Sequence, residues 1–298
     1  MANPGLNIYS NTLTVPLTGQ PAVVNIPVPY QPGMAIRKIH IDTSVTVSTG
    51  AGGAAVFPAA GEWAVITDFE YLRTSSKPVK KADGAFLLDW AYRSSKPRLG
   101  VYQTPAAANA SVAASTTNAT YASSEDFYDH TRSMDKDVIH LELGPVSNVM
   151  ASGAANVTSM SITLTIKVYY DAPVSNQDLI LSKTGLGPTF TGDNNIVPYL
   201  KASFATSLIV LAGITESQIN YVTSYENGTL VKPQESVAAI EAEESRTYVN
   251  GHRTGYLPLL GALKAPTYLN GTLQIYVNWN ASNVNYTVYQ YGWGTTAT

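Results

Sequence analysis

From Ile162 to Tyr170 the chain alternates without a break. Ile162, Leu164, Ile166, Val168 and Tyr170 fall on one side, and Thr163, Thr165, Lys167 and Tyr169 on the other. Successive side chains of a strand point to opposite faces, so this pattern predicts a strand with one face in a core. Asp171-Ala172-Pro173 stops it. An apolar strand face needs a second layer, and a chain with little helical period supplies that layer as another sheet.

The same reading finds strands elsewhere. Ala22–Val28, Ile36–Val47, Trp63–Tyr71 and Val138–Leu143 qualify, and in the second of these Ile39, Ile41, Val45 and Val47 make the apolar face. Residues 49–61 and 105–124, rich in Gly, Ala, Pro and small polar residues, read as exposed loops. Only two stretches have helical spacing. Lys81–Arg93 places Phe86, Leu87, Trp90 and Ala91 on one face with Asp83 as N-cap, and Pro233–Tyr248 spaces Val237, Ile240 and Glu244 as on one face.

A shift of 109 residues lays Leu164, Ile166, Val168 and Tyr170 on Leu273, Ile275, Val277 and Trp279, and Asp171-Ala172 on Asn280-Ala281. Two similar strands, each late in its half, predict an internal duplication. The expected architecture is all-β: two tandem jelly-roll β-barrels or sandwiches with short helical insertions. The first spans residues 1–172 and carries the long loops; the second spans 173–298. The seam falls between Asp171 and Gly185, because Asp178–Ser182 (DLILS) could still belong to the first half.

Composition narrows the function. Hydrophobic residues make up 45% of the 298, ample for a core, while charged residues reach only 13%, about half the usual ~25%. The polar surface is therefore Thr, Ser, Asn, Gln and Tyr, with weak mutual repulsion and a bias toward packing against other protein. A net charge of −3 gives no general attraction to nucleic acid. Cysteine is absent, which excludes disulfides, thiolate metal sites and a cysteine nucleophile. No signal peptide is visible and no stretch approaches the ~18 apolar residues of a membrane span, so a soluble chain made and kept in a cytoplasm is expected. The seven N-x-S/T sequons, from Asn109 to Asn285, read as products of an Asn- and Thr-rich composition.

Chemistry is sparse. His40, His130, His140 and His252 are scattered, Asp129-His130 with Ser133 lacks any nucleophile elbow, and no cofactor motif is present. The acidic run from Ser123 to Asp137 lacks the spacing and central glycine of an EF-hand loop, so it reads as a solvated loop. The one charge asymmetry is basic. Arg73, Lys77, Lys80, Lys81, Arg93, Lys96 and Arg98 are seven of the 18 Lys and Arg, with Ser-Ser-Lys-Pro occurring twice, at 75–78 and 94–97. Such a cluster reads either as solvated loops or as a surface facing anionic lipid or an acidic neighbour.

Two tandem jelly rolls of unequal size, with repeated strands at Ile162–Tyr170 and Thr272–Trp279 and helices near Ala85–Arg93 and Ser236–Tyr248, resemble the double jelly-roll major capsid proteins of tailless, membrane-containing icosahedral viruses. The resemblance rests on organisation over the whole chain, not on a specific motif. It implies a non-enzymatic virion protein that forms a pseudo-hexagonal homotrimer. Its partners would be neighbouring capsomers, minor capsid proteins and an internal viral membrane. Loops 49–61 and 105–124 would be tower or intersubunit loops. The alternative is a viral spike or carbohydrate-binding β-sandwich module, with Trp63, Trp90, Trp279 and Trp293 as candidate sugar-stacking rings.

Overall fold

The computed structural model describes residues 5–74, 76–94, 104–247, 254–259, 267–269 and 272–295. They divide into two compact units, the change falling between Val174 and Ser175.

The first unit contains β1 (Leu6–Thr14), β2 (Ala22–Pro27), β3 (Ala35–Thr49), β4 (Ala55–Val56), a 3-10 turn (Gly61–Val65), β5 (Ile66–Arg73), β6 (Lys77–Ala82), α1 (Gly84–Ser94), β7 (Ser111–Val112), β8 (Ala119–Arg132), β9 (Val138–Leu143), α2 (Val146–Val149) and β10 (Val157–Asp171). One antiparallel sheet runs β1-β10-β3-β8, the other β2-β9-β5-β6. The first strand thus lies beside the last and the second beside the next-to-last, the nested order of a jelly roll. The alternating strand of the opening argument is β10. It is last in sequence yet central in its sheet, with Ile166 opposite Ile41 and Ile162 opposite Val45. Its apolar set is buried, and its outer threonines form hydroxyl pairs: Thr163 with Thr12 at 2.8 Å and Thr165 with Ser10 at 3.2 Å.

Helix α1 starts where Asp83 caps it, accepting a hydrogen bond from Phe86 N at 2.9 Å. Gly84 is required there, since a Cβ would lie 1.8 Å from the Trp63 carbonyl oxygen. Phe86, Leu87, Leu88, Trp90, Ala91 and Tyr92 are all buried, so the helix is an internal prop and not a surface element.

The second unit contains β11 (Asp178–Leu186), β12 (Gly192–Asn195), β13 (Ala205–Ala212), β14 (Ile219–Glu226), β15 (Thr229–Glu235), α3 (Val237–Thr247), β16 (Tyr256–Pro258), β17 (Thr267–Tyr268), β18 (Leu273–Trp279) and β19 (Tyr286–Gly294). Its sheets are β11-β19-β13-β16, with β17 also on β13, and β12-β18-β14-β15. The nested order is the same. Ile209, Leu211, Ile240, Ile275, Val277, Trp279 and Val288 lie in its core.

Three expectations need correction. The strands matched at a shift of 109 residues are not equivalent: β10 lies between first and third strands, as β19 does, whereas β18 occupies the place of β9. The strand order is repeated, but any two half-buried strands match once their inward-facing positions are aligned. Residues 105–124 are not one loop. Ser111–Val112 pairs with Ala55–Val56, Ala106 and Ala107 donate their amides to buried Glu62, and a strand begins at Ala119. Trp63 lies in the 3-10 turn, and the strand expected from it starts at Ile66.

Candidate functional site

The basic cluster is not one surface. Arg73 continues the inward parity of Phe69 and Tyr71 on β5 and is fully buried. Its Nε lies 3.6 Å from Asp137 Oδ1, and its Nη2 donates to the Arg132 carbonyl at 2.8 Å. Tyr71 donates its hydroxyl to Asp137 Oδ2 at 2.8 Å. Burial pushes the Asp137 carboxyl above its ordinary value, against the opposing pull of the Tyr71 hydrogen bond and the Arg73 guanidinium. Burial also pushes the Tyr71 phenol well up, with the Asp137 charge adding to it.

Lys80 on β6 is likewise fully buried. Its Nζ lies 2.9 Å from Asp129 Oδ1 on β8. The Thr131 hydroxyl is within hydrogen-bond reach of both Asp129 oxygens, at 3.2 and 3.0 Å, and accepts from Lys80 Nζ. The rings of Tyr71 and Trp90 stand 5.8 and 6.0 Å from Nζ. Arg93, in the last turn of α1, donates to Asp89 Oδ2 at 2.6 Å one turn back. A buried cation is tolerable only when paired, and these three are paired inside the first unit.

Two described members of the cluster remain outside. Lys77 is exposed, and Lys81, on the wet side of β6, bonds Asp68 at 3.2 Å and Glu70. Lys96 and Arg98 lie outside the described residues. The continuous lipid- or partner-facing surface expected of this segment is therefore broken, because strand parity and the α1 packing turn Arg73, Lys80 and Arg93 inward.

The other candidates also resolve into structural roles. Asp129 holds Lys80, the His130 Nε2 accepts the Val174 amide at 3.1 Å, and the Ser133 hydroxyl accepts the Gln31 amide at 2.8 Å, so the three form no relay. His140 bonds Asn25 at 2.8 Å, and His252 lies outside the described residues. The acidic run is mostly strand. Among the described residues no group of three or more His, Asp or Glu is arranged to hold a metal. Glu125, on β8, is pushed up to about 7, mainly by burial and secondarily by the charge of Asp126. His40 bridges two carboxylates on the outer face of β3, with Asp126 at 2.8 Å from Nδ1 and Asp42 at 2.9 Å from Nε2.

Trp63, Trp90 and Trp279 are buried, which removes three of the four rings expected to stack on sugars, and Trp293 is half-buried. The exposed aromatics are instead Phe190, Tyr199, Tyr268, Tyr30 and Tyr128. Phe190 and Tyr199 rim a hollow of about 590 Å³ in the second unit, with Leu186, Pro188 and Tyr286 on its walls. Burial, with the neighbouring Tyr199, pushes the Tyr286 phenol up to about 12.

Two jelly rolls in one chain direct the comparison with known proteins. No family model and no curated protein sequence matches. Solved structures do match. The major capsid protein of Sulfolobus turreted icosahedral virus aligns over 97% of both chains with a TM-score of 0.72 at 15% identity. The major capsid protein P2 of bacteriophage PM2 aligns over 96% of this chain and 97% of its own, with a TM-score of 0.53 at 9% identity. The Faustovirus major capsid protein aligns over 98% and 90%, with a TM-score of 0.53 at 8% identity.

The fold is a double jelly roll. Within it α1 and α3 take equivalent places, each following the strand that pairs with β5 or β14 in the second sheet of its unit (β6 or β15). The buried ion pairs at Lys80 and Arg73 belong to the first jelly roll and hold strands β5 and β6 against β8 and the segment before β9.

Proposed function

We propose that this chain is the major capsid subunit of an icosahedral virus, a structural and non-enzymatic protein that works by association. The observation that carries the reading is the end-to-end match of a two-barrel chain to viral major capsid proteins, with 97% of both chains covered in the first case. The chemistry of the chain agrees. Its charged fraction is low and its outer sheet faces carry Thr and Ser hydroxyls, surfaces that desolvate at small cost when protein packs on protein.

The finer reading is a homotrimer whose six barrels tile the shell, with neighbouring capsomers and minor capsid proteins at its edges. An internal membrane is a further partner in that reading, although of the described basic cluster only Lys77 and Lys81 reach solvent to meet it. Light scattering on the purified chain tests the assembly directly. A stable trimer, or shell-like particles by electron microscopy, supports the capsid subunit. A monomer at all accessible concentrations that binds glycans would overturn it in favour of a spike or carbohydrate-binding module.

A further inference from the structure

We propose that Lys80 and Asp129 are joined by an isopeptide bond that forms spontaneously inside the folded first jelly roll. The reacting groups are already together. Nζ lies 2.9 Å from Asp129 Oδ1, one bond from the carboxyl carbon it would attack, and both side chains are fully buried. Holding two reactants at such a distance in one orientation replaces a bimolecular encounter with an intramolecular one, worth effective concentrations on the order of 10⁵–10⁸ M.

The surroundings suit the condensation. A proton passing from the ammonium to the carboxylate turns the ion pair into an amine and a carboxylic acid, a neutral pair that a dry site accommodates more easily than two charges. The amine lone pair then attacks Cγ, the N–C bond forms, and a C–O bond breaks. The hydroxyl leaves with a proton from nitrogen as one water molecule. Nothing is oxidised or reduced and no co-reactant is consumed. Trp90 and Tyr71 wall the site from bulk water, which disfavours the reverse hydrolysis. Thr131, with its hydroxyl bonded to both partners, is the positioning residue that holds the carboxyl group toward Nζ.

The site is selective. Arg73 meets Asp137 in a similarly buried setting, but a guanidinium has no free lone pair for attack. Lys81 meets Glu70 and Asp68 half in water, where the ion pair is the stable form. Among the described lysines only Lys80 is fully buried, and the carboxylate it meets is buried with it. The bond would tie β6 of one sheet to β8, an edge of the other, in a chain that has no cysteine for a disulfide.

Intact-mass measurement on the denatured full chain, with its N-terminus determined, tests the proposal without any variant. The expected mass is lower than the sequence mass by one water. Tryptic mapping should show a branched peptide linking the segments of Lys80 and Asp129 and no cleavage after Lys80. Lys80→Arg and Asp129→Ala should each regain the full mass. A full sequence mass in the unaltered protein, or a water loss mapped to any other position, overturns the bond. Thr131→Val should lower the cross-linked fraction at a matched time, with Thr131→Ser restoring it; an unchanged fraction overturns the positioning role.

Discussion

The two jelly rolls share one strand order and fill it differently. In the first unit β3 and β10 run 15 residues each; their counterparts β13 and β19 run 8 and 9. The helices differ more. Six apolar residues of α1 are buried, whereas α3 buries Ile240 and Glu244 and leaves Ala238, Ala239 and Ala242 exposed. The polar interior differs as well. The first unit is tied by ion pairs at Lys80 and Arg73. In the second, the amide of buried Gln290 accepts the Lys201 amide at 2.9 Å and donates to its carbonyl at 3.1 Å. The nested order therefore demands only alternating faces and correctly placed turns. What fills the space between the sheets is free to vary, and among the described residues the buried cations all lie in the first unit.

The sharpest way to break this comparison is to unpair the charge. Asp129→Ala takes the carboxylate away from buried Lys80, and should lower stability by about 3–5 kcal/mol, with any cross-link lost in addition. The double substitution Lys80→Met with Asp129→Leu should recover most of that, because well-packed apolar residues often replace a buried pair at little cost. Equilibrium denaturation of the three proteins checks the order. If the double variant is as weak as the single one, the pair does more than occupy space.

The two helices offer the next contrast. Trp90→Ala removes a fully buried indole packed on Phe127 with ring centroids 5.4 Å apart, and should cost about 3–5 kcal/mol. Ile240→Ala in α3 should cost less, about 2–3 kcal/mol, since fewer neighbours need collapse around an outlying helix. Denaturation followed by tryptophan fluorescence measures both. Equal losses would show that α3 is as deeply built into its barrel as α1.

Much of this was readable in the sequence, for a physical reason that also marks where reading stops. Period-2 alternation reports one buried face, so Ile39, Ile41, Val45 and Val47, and the β10 set, were found correctly and are essentially inaccessible. The Asp83 cap located α1 to within a residue. Two edge strands escape because they lack that contrast: β1 is mostly exposed, and β8 opens with the small residues of Ala119–Ser124. Alternation carries no register either, so it lays β10 on β18 as readily as on β19. The basic cluster failed through long-range pairing. Arg93 had a local clue in Asp89 four residues back, and Arg73 one in its parity with Phe69 and Tyr71. Asp129 lies 49 residues from Lys80, with nothing local to announce it.

The smallest effect separates the units by pH. Glu125 sits in the first unit with its carboxyl pushed up to about 7, from an ordinary 4.5, chiefly by burial. Between those values the folded chain holds a proton that the unfolded chain has released. Its contribution to stability is therefore fully present below about 4.5 and is lost as pH rises toward 7. Because the group keeps some contact with water, the loss should be about 1 kcal/mol and not the whole value of the shift. Glu125→Gln carries no titrating proton, so the drop in denaturation midpoint between pH 5 and pH 8 should be smaller in the variant than in the parent. An unchanged drop would mean that Glu125 is solvated in solution, and that the outer edge of β8 is as wet as the exposed edge of β15 in the second jelly roll.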